Sequence, residues 1–234
     1  ARRRRAQRRL TQLRADEREA FLEDLAHEVT PEAISFLAAL ASGALIALGL
    51  RFDQIALIIA GILIAPRMIP IPGIALASIS GSLKFFFRQL INLIIMAAAF
   101  MLPAALITQL VLGHPSQMVL AASQSGLNLI DFALLLAGAI LITLPLVRKQ
   151  EIDLLSSIAL VYEIVVPLKA PTLTFIWGQT EQWQGALLVF AVHLCIAVAA
   201  SLITLAALGF RPLIGNRRSL IVAIGLMGLI GVLS

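Results

Sequence analysis

From position 33 onward the chain alternates long apolar runs with short polar interruptions. Six runs fall at 33–50, 54–81, 85–112, 127–147, 154–178 and 183–210, and a shorter one follows at 219–234. An α-helix needs about 20 residues to cross the hydrocarbon core of a bilayer, and each of the first six comes close to or exceeds that length. The pattern therefore predicts an all-α, polytopic integral membrane protein with six spans and a C-terminal seventh. Ahead of them, residues 10–32 are charged throughout. Leu13, Phe21, Leu22, Leu25 and Val29 recur there at helical spacings, which predicts a narrow apolar stripe on an amphipathic cytoplasmic helix. Thr30 is expected to cap the first span, with Pro31 at its first helical position.

Composition agrees with this pattern. Sixty per cent of the 234 residues are hydrophobic and 13% are charged, with a mean hydropathy of +0.97. Globular domains carry roughly 25% charged residues. Charge is also concentrated at the start: residues 1–32 contain eight of the 18 Lys and Arg and seven of the 13 acids. The remainder cannot cover a globule with polar surface, so its solvent must be lipid. Cys195 is the sole cysteine, which excludes a disulfide framework. The arginine run at 2–9 is followed by no early apolar stretch, so it reads as a cytoplasmic tail and not as a secretory signal. Near a membrane such a tail is attracted to anionic lipid head groups. No aromatic residues interleave with the arginines, which argues against nucleic acid.

Orientation follows from the loops. With spans alternating from a cytoplasmic N-terminus, the cytoplasmic loops hold Lys84, Arg88, Arg148, Lys149, Arg211, Arg217 and Arg218, whereas the outer side holds only Arg51. The positive-inside rule then places the protein in an inner (cytoplasmic) membrane with its N-terminus inside. Trp177 and Trp183 flank a short outer loop, where belt aromatics belong.

The chain also repeats itself. Ala65-Pro66-Arg67-Met68-Ile69-Pro70 and Val166-Pro167-Leu168-Lys169-Ala170-Pro171 each carry Pro-x-x-x-Pro within the second span of a three-span group. The same offset sets Asn92 against His193, and 41–44 resembles 136–139 once a gap is allowed. This divides the chain into a basic tail and amphipathic helix (1–32), membrane repeat 1 (33–112), an outer loop (113–126), membrane repeat 2 (127–210) and a C-terminal membrane helix (211–234). Three spans is an odd number, so the second repeat must be inverted relative to the first. Inverted repeats with interrupted helices at matching positions mark the binding site of many secondary transporters. Proline lacks an N–H and clashes with the preceding turn, and backbone groups freed in this way must be buried in protein or line a cavity. Both second helices are accordingly expected to break and to meet. Pro103 and Pro145, each alone in its span, are expected only to bend a helix.

Four ionisable side chains lie at membrane depth: Arg67, Lys169, Glu163 and His193. A charge at the centre of a span costs roughly 2.5–3.5 kcal/mol on insertion scales, so each demands a partner or a function. Arg67 is expected to pair with Glu163 across the repeats, and His193 to be a hydrogen-bonded packing residue. The candidate substrate-binding set is Pro66, Arg67, Pro70, Asn92, Glu163, Pro167, Lys169, Pro171 and His193. No metal-ligand spacing, nucleophile–base arrangement or phosphate-cradling loop is present in the sequence, so neither an enzyme nor a cofactor is expected.

The stretch Ile58-Ile59-Ala60-Gly61-Ile62-Leu63-Ile64-Ala65-Pro66-Arg67-Met68-Ile69-Pro70-Ile71, following Gly49-Leu50, resembles the prokaryotic membrane-protein family catalogued as domain of unknown function 389. Residues 157–168 and 185–197 are similar to the second half of that family. The resemblance implies the membrane topology and leaves the activity open. Departures are Arg67, where the family is usually apolar, Val166-Pro167 in place of a proline pair, and His193 in place of Asn. Gln124 and Leu127 also depart, whereas Asp131 matches.

Two functions fit these features. One is a transporter or channel-like protein for a small anionic solute held between the two broken helices. The other is a non-transporting scaffold or accessory subunit, in which the amphipathic helix docks and Gly225, Gly228 and Gly231 form a packing face. A membrane sensor signalling through 10–32 is a third possibility. A homo-oligomer is compatible with all of them.

Overall fold

The computed structural model describes residues 31–80, 83–110, 129–148, 154–176 and 180–209. The basic tail and nearly all of the amphipathic helix, the outer loop 113–126 and the C-terminal helix at 211–234 lie outside these residues, as does Trp177. The secondary structure of the described residues is all helix, with no strand among them. In chain order the helices are α1 (Ala33–Arg51), α2 (Ile55–Ile64), α3 (Pro70–Ser80), α4 (Leu83–Leu110), α5 (Leu129–Arg148), α6 (Leu154–Ile176) and α7 (Thr180–Ala207).

Four of these are long and apolar enough to cross a membrane: α1, and the stretches Leu83–Ile107 of α4, Leu129–Val147 of α5 and Leu187–Ala207 of α7. The second run is divided into the shorter apolar helices α2 and α3, and of α6 the side chains described cover the apolar stretch Ser157–Leu168. The first helix also starts later than expected, at Ala33, with Glu32 in the capping position and no side-chain cap bond.

The helices bury one face and expose another, and the exposed face is as apolar as the buried one. Along α4, Gln89, Leu93, Met96, Phe100 and Ala104 are buried, while Phe87, Ile91, Ile94, Ile95, Leu102 and Leu106 are exposed. Large apolar side chains lie outside as well as inside, and the polar Gln89 lies inside. In water such a stripe would drive association; facing lipid it carries no penalty. Helix α3 has no exposed face at all, because every residue from Pro70 to Ile79 is buried. It is enclosed by α4, α5 and α7.

Glycine permits the closest helix approaches. A Cβ added at Gly61 of α2 would lie 2.6 Å from Ile46 Cγ1 and 3.0 Å from both the Ile46 nitrogen and the Ser42 carbonyl oxygen of α1. At Gly138 of α5 it would lie 3.1 Å from Ala159, and equally far from the side chain and backbone nitrogen of Leu160, on α6. Each half of the chain therefore brings its first and second helices to backbone contact. The remaining neighbours are α1 with α4, α3 with α4, α5 with α7 and α6 with α7 inside each half. Between the halves, α3 meets α7, α4 meets α6, and smaller contacts join α1 and α2 to α6 and α3 to α5.

The two proline pairs behave differently, which corrects the expectation that both second helices are broken. In the first, α2 ends at Ile64 and α3 begins at Pro70, with residues 65–69 outside any helix. Three prolines fall within seven residues here. Pro66 removes the N–H that would reach the Ile62 carbonyl and pushes Ala65 to an extended backbone, φ −58° and ψ 141°. Pro70 and Pro72 then stand at the first and third positions of α3, where a missing N–H costs little. In the second, α6 runs through Pro167 and Pro171 without interruption. Pro103 and Pro145 likewise lie inside continuous helices.

A buried polar pair and an interrupted helix

A proline inside a helix leaves the carbonyl four residues earlier without its donor. For Pro167 that carbonyl belongs to Glu163. It does not stay unpaired, because His193 of α7 places Nδ1 2.7 Å from the Glu163 carbonyl oxygen. A carbonyl only accepts, so the Nδ1 proton is donated to it. The same nitrogen lies 3.6 Å from Glu163 Oε2. Both side chains are enclosed, Glu163 at 2% exposure and His193 at 1%. The edge of the His193 ring meets Phe132 of α5 with centroids 5.6 Å apart, so three helices converge on it. Glu163 Oε1 and His193 Nε2 are buried with no hydrogen-bond partner among the described residues.

This bond explains why α6 is continuous. In the first half the equivalent carbonyl, that of Ile62, accepts from the Ala65 N–H at 3.2 Å in a tightened last turn, and the helix ends. The residue at His193's offset in that half is Asn92, and its Nδ2 is buried with no hydrogen-bond partner among the described residues. One carbonyl is capped from within its own chain turn and the other from a neighbouring helix.

A second polar group lies on α4. Gln89 is fully buried, and neither end of its amide has a partner among the described residues. It stands directly over Gly73 of α3, where an added Cβ would come within 3.0 Å of the amide carbon. Elsewhere, Thr143 of α5 donates to the Ala139 carbonyl, and its Oγ1 lies 3.1 Å from Ser201 Oγ of α7, whose hydroxyl is free to donate to it, linking two helices of the second half.

Of the candidate set, the structure brings Glu163, Pro167 and His193 together. Pro66 and Pro70 are buried at the interruption. Arg67 is not paired with Glu163: its side chain is exposed and makes no ion pair among the described residues, and Glu163 faces His193 instead. Lys169 and Pro171 lie on the backbone of α6, but their side chains are outside the described residues. Gln89 was missed by sequence reasoning, although it is a polar residue one turn from Asn92 in an apolar span. The Glu163–His193 contact was also missed, although Pro167 minus four is Glu163.

A bundle whose long helices are apolar on the outside as well as in the core fits the class of helical membrane proteins. Within it, the family model described as Domain of unknown function (DUF389) matches residues 62–200, and the chain belongs to that family. No match was found among curated proteins or among solved structures.

Proposed function

We propose that the chain is a non-enzymatic permeation protein, a carrier or a channel-like protein of the transporter type, for a small anionic solute. It is built from two inverted three-helix units and resides in an inner membrane with the N-terminus cytoplasmic. The packing supports the duplication. Exchange α1 with α5, the α2–α3 pair with α6, and α4 with α7, and each neighbouring pair of helices given above maps onto another such pair. A pseudo-two-fold relation between the units accounts for that pattern.

The observation that carries the reading is the largely buried, non-helical stretch at 65–69, with Arg67 exposed, next to α3, which the amide of Gln89 touches from α4. Irregular backbone at membrane depth is tolerated only where it is enclosed by protein or lines a cavity. An anion at this point would be met by a side chain and not by the start of α3. Pro70 and Pro72 have no N–H, and those of Ile71 and Gly73 already bond the carbonyls of Met68 and Ile69. Arg67 is the cation that this stretch itself carries. Reconstitution into proteoliposomes tests this. Anion-gradient-driven flux should fall on the order of tenfold or more in Arg67→Ala, equivalent to about 1.4 kcal/mol. No flux under any ion gradient, with no effect of that change, would leave the scaffold reading in its place.

The scaffold or accessory-subunit reading is favoured by one specific observation. Pro66, Pro70 and all but the last residue of α3 are buried, and the glycine contacts bring backbones together as in a static packing core.

A further inference from the structure

Two acceptors compete for one proton donor at the centre of the second unit. His193 Nδ1–H is 2.7 Å from the Glu163 carbonyl and 3.6 Å from the Glu163 carboxyl oxygen Oε2. The carbonyl is the one that Pro167 deprives of its helical donor, so the imidazole holds α6 together at this point. A neutral carboxyl is a weak rival to a backbone carbonyl. An ionised one is a much stronger acceptor, since a hydrogen bond to a charged group has roughly twice the strength of a neutral one. Both acceptors belong to the same residue, so a small rotation of the imidazole transfers the bond between them. The first unit shows a proline turn with no cap from a neighbouring helix, for there the Ile62 carbonyl bonds the Ala65 N–H, the helix stops at Ile64 and the next begins at Pro70.

We propose that Glu163 and His193 form a proton-binding site that switches α6 between a latched helix and an open hinge at Pro167. With the proton on the Glu163 carboxyl, Nδ1–H stays on the carbonyl and α6 is continuous. When the carboxyl gives that proton up to solvent its O–H bond breaks, the carboxylate draws Nδ1–H away, and the Glu163 carbonyl loses the donor that stands in for the missing proline N–H. One proton leaves the site and one hydrogen bond is exchanged.

The other ionisable groups on the surrounding helices are few. Asp131, near the start of α5, acts electrostatically on Glu163. Helix α6 itself carries Tyr162 and Lys169, and α7 carries Glu181 and Cys195. Helix α5 adds Arg148 at its end, α1 only Arg51 at its end, α4 only Lys84 and Arg88 near its start, and α2 and α3 none. The proposal assigns a proton to the same polar centre as the permeation reading, but it does not require transport.

Hydrogen–deuterium exchange of the full chain in lipid nanodiscs, without any gradient, tests it directly. The readout is the amides of 168–170, whose helical partners lie in the turn that Pro167 interrupts. Relative to Glu163→Gln, which fixes the neutral side chain, exchange in the wild type should accelerate on the order of tenfold as pH rises. Pro167→Ala, which returns an N–H to the Glu163 carbonyl, should remain protected at every pH. This variant also serves as the reference should Glu163→Gln fail to fold. Asp131→Asn should keep the response. Wild-type exchange that tracks the reference variant at every pH would overturn the proposal. So would a response lost in Asp131→Asn but kept in Glu163→Gln. Flux measurements do not enter, so the permeation reading can fail while this one stands, and the reverse.

Discussion

Replacing His193 by Phe keeps an aromatic ring against Phe132 and removes the donor from the Glu163 carbonyl. The regular helical donor cannot substitute, because residue 167 has no N–H. An unsatisfied buried carbonyl costs about 1–3 kcal/mol in soluble proteins. Hydrogen bonds between membrane helices are worth less, averaging about 0.6 and reaching about 1.7 kcal/mol. The carbonyl here is enclosed by three helices, so a loss of about 1–2 kcal/mol is expected. Pro167→Ala provides the control, since it restores the intrahelical N–H. In that background His193→Phe should cost under about 0.5 kcal/mol, giving a coupling energy near 1 kcal/mol, in the range seen for residues in contact.

Pro167→Ala alone also gains helix propensity, up to about 3 kcal/mol, so the comparison lies between the two backgrounds and not in absolute stability. Reversible unfolding in mixed micelles, followed by the fluorescence of Trp177 and Trp183, measures all four members of the cycle. Equal penalties for His193→Phe with and without Pro167 would refute the reasoning. His193 would then be a packing residue, and the continuity of α6 would need another cause.

Two further outcomes follow from the packing. Gly61→Ala sets a methyl group 3.0 Å from two backbone atoms of α1 that cannot turn aside; overpacking of about 1–3 kcal/mol is offset by about 1 kcal/mol of helix propensity. It should therefore melt below Gly138→Ala, whose contacts begin at 3.1 Å, and the reverse order in a thermal-shift assay would contradict the close approach. Gln89→Met removes a fully buried amide with no partner at either end and should stabilise the fold by about 1–3 kcal/mol while lowering flux. Loss of stability in this variant would show that the amide is engaged.

How much of this was legible in the sequence depends on the range of the interaction that decides each feature. Spans fixed by local hydropathy are found within a few residues of expectation: 33–50 against Ala33–Arg51, and 154–178 against Leu154–Ile176. The interruption after Ile64 is equally local, since Pro66, Pro70 and Pro72 remove three donors in seven residues. The second proline pair looks the same to any local argument, yet its helix is continuous. What differs is a partner 30 residues further along the chain, His193 on α7, which reaches the freed carbonyl.

Asn92 and His193 stand at the same offset from their prolines, but only the imidazole reaches its carbonyl. Exchanging them should therefore move the interruption. His193→Asn removes the ring nitrogen that caps Glu163, and α6 should then show the early amide exchange that an uncapped proline turn permits. Asn92→His, by contrast, should not heal the stretch at 65–69. The Ile62 carbonyl already has the Ala65 N–H, and Pro70 and Pro72 still withhold two donors from the following turn. A continuous helix through 65–69 in Asn92→His would mean that the cap alone, and not the number of missing donors, sets where these helices break.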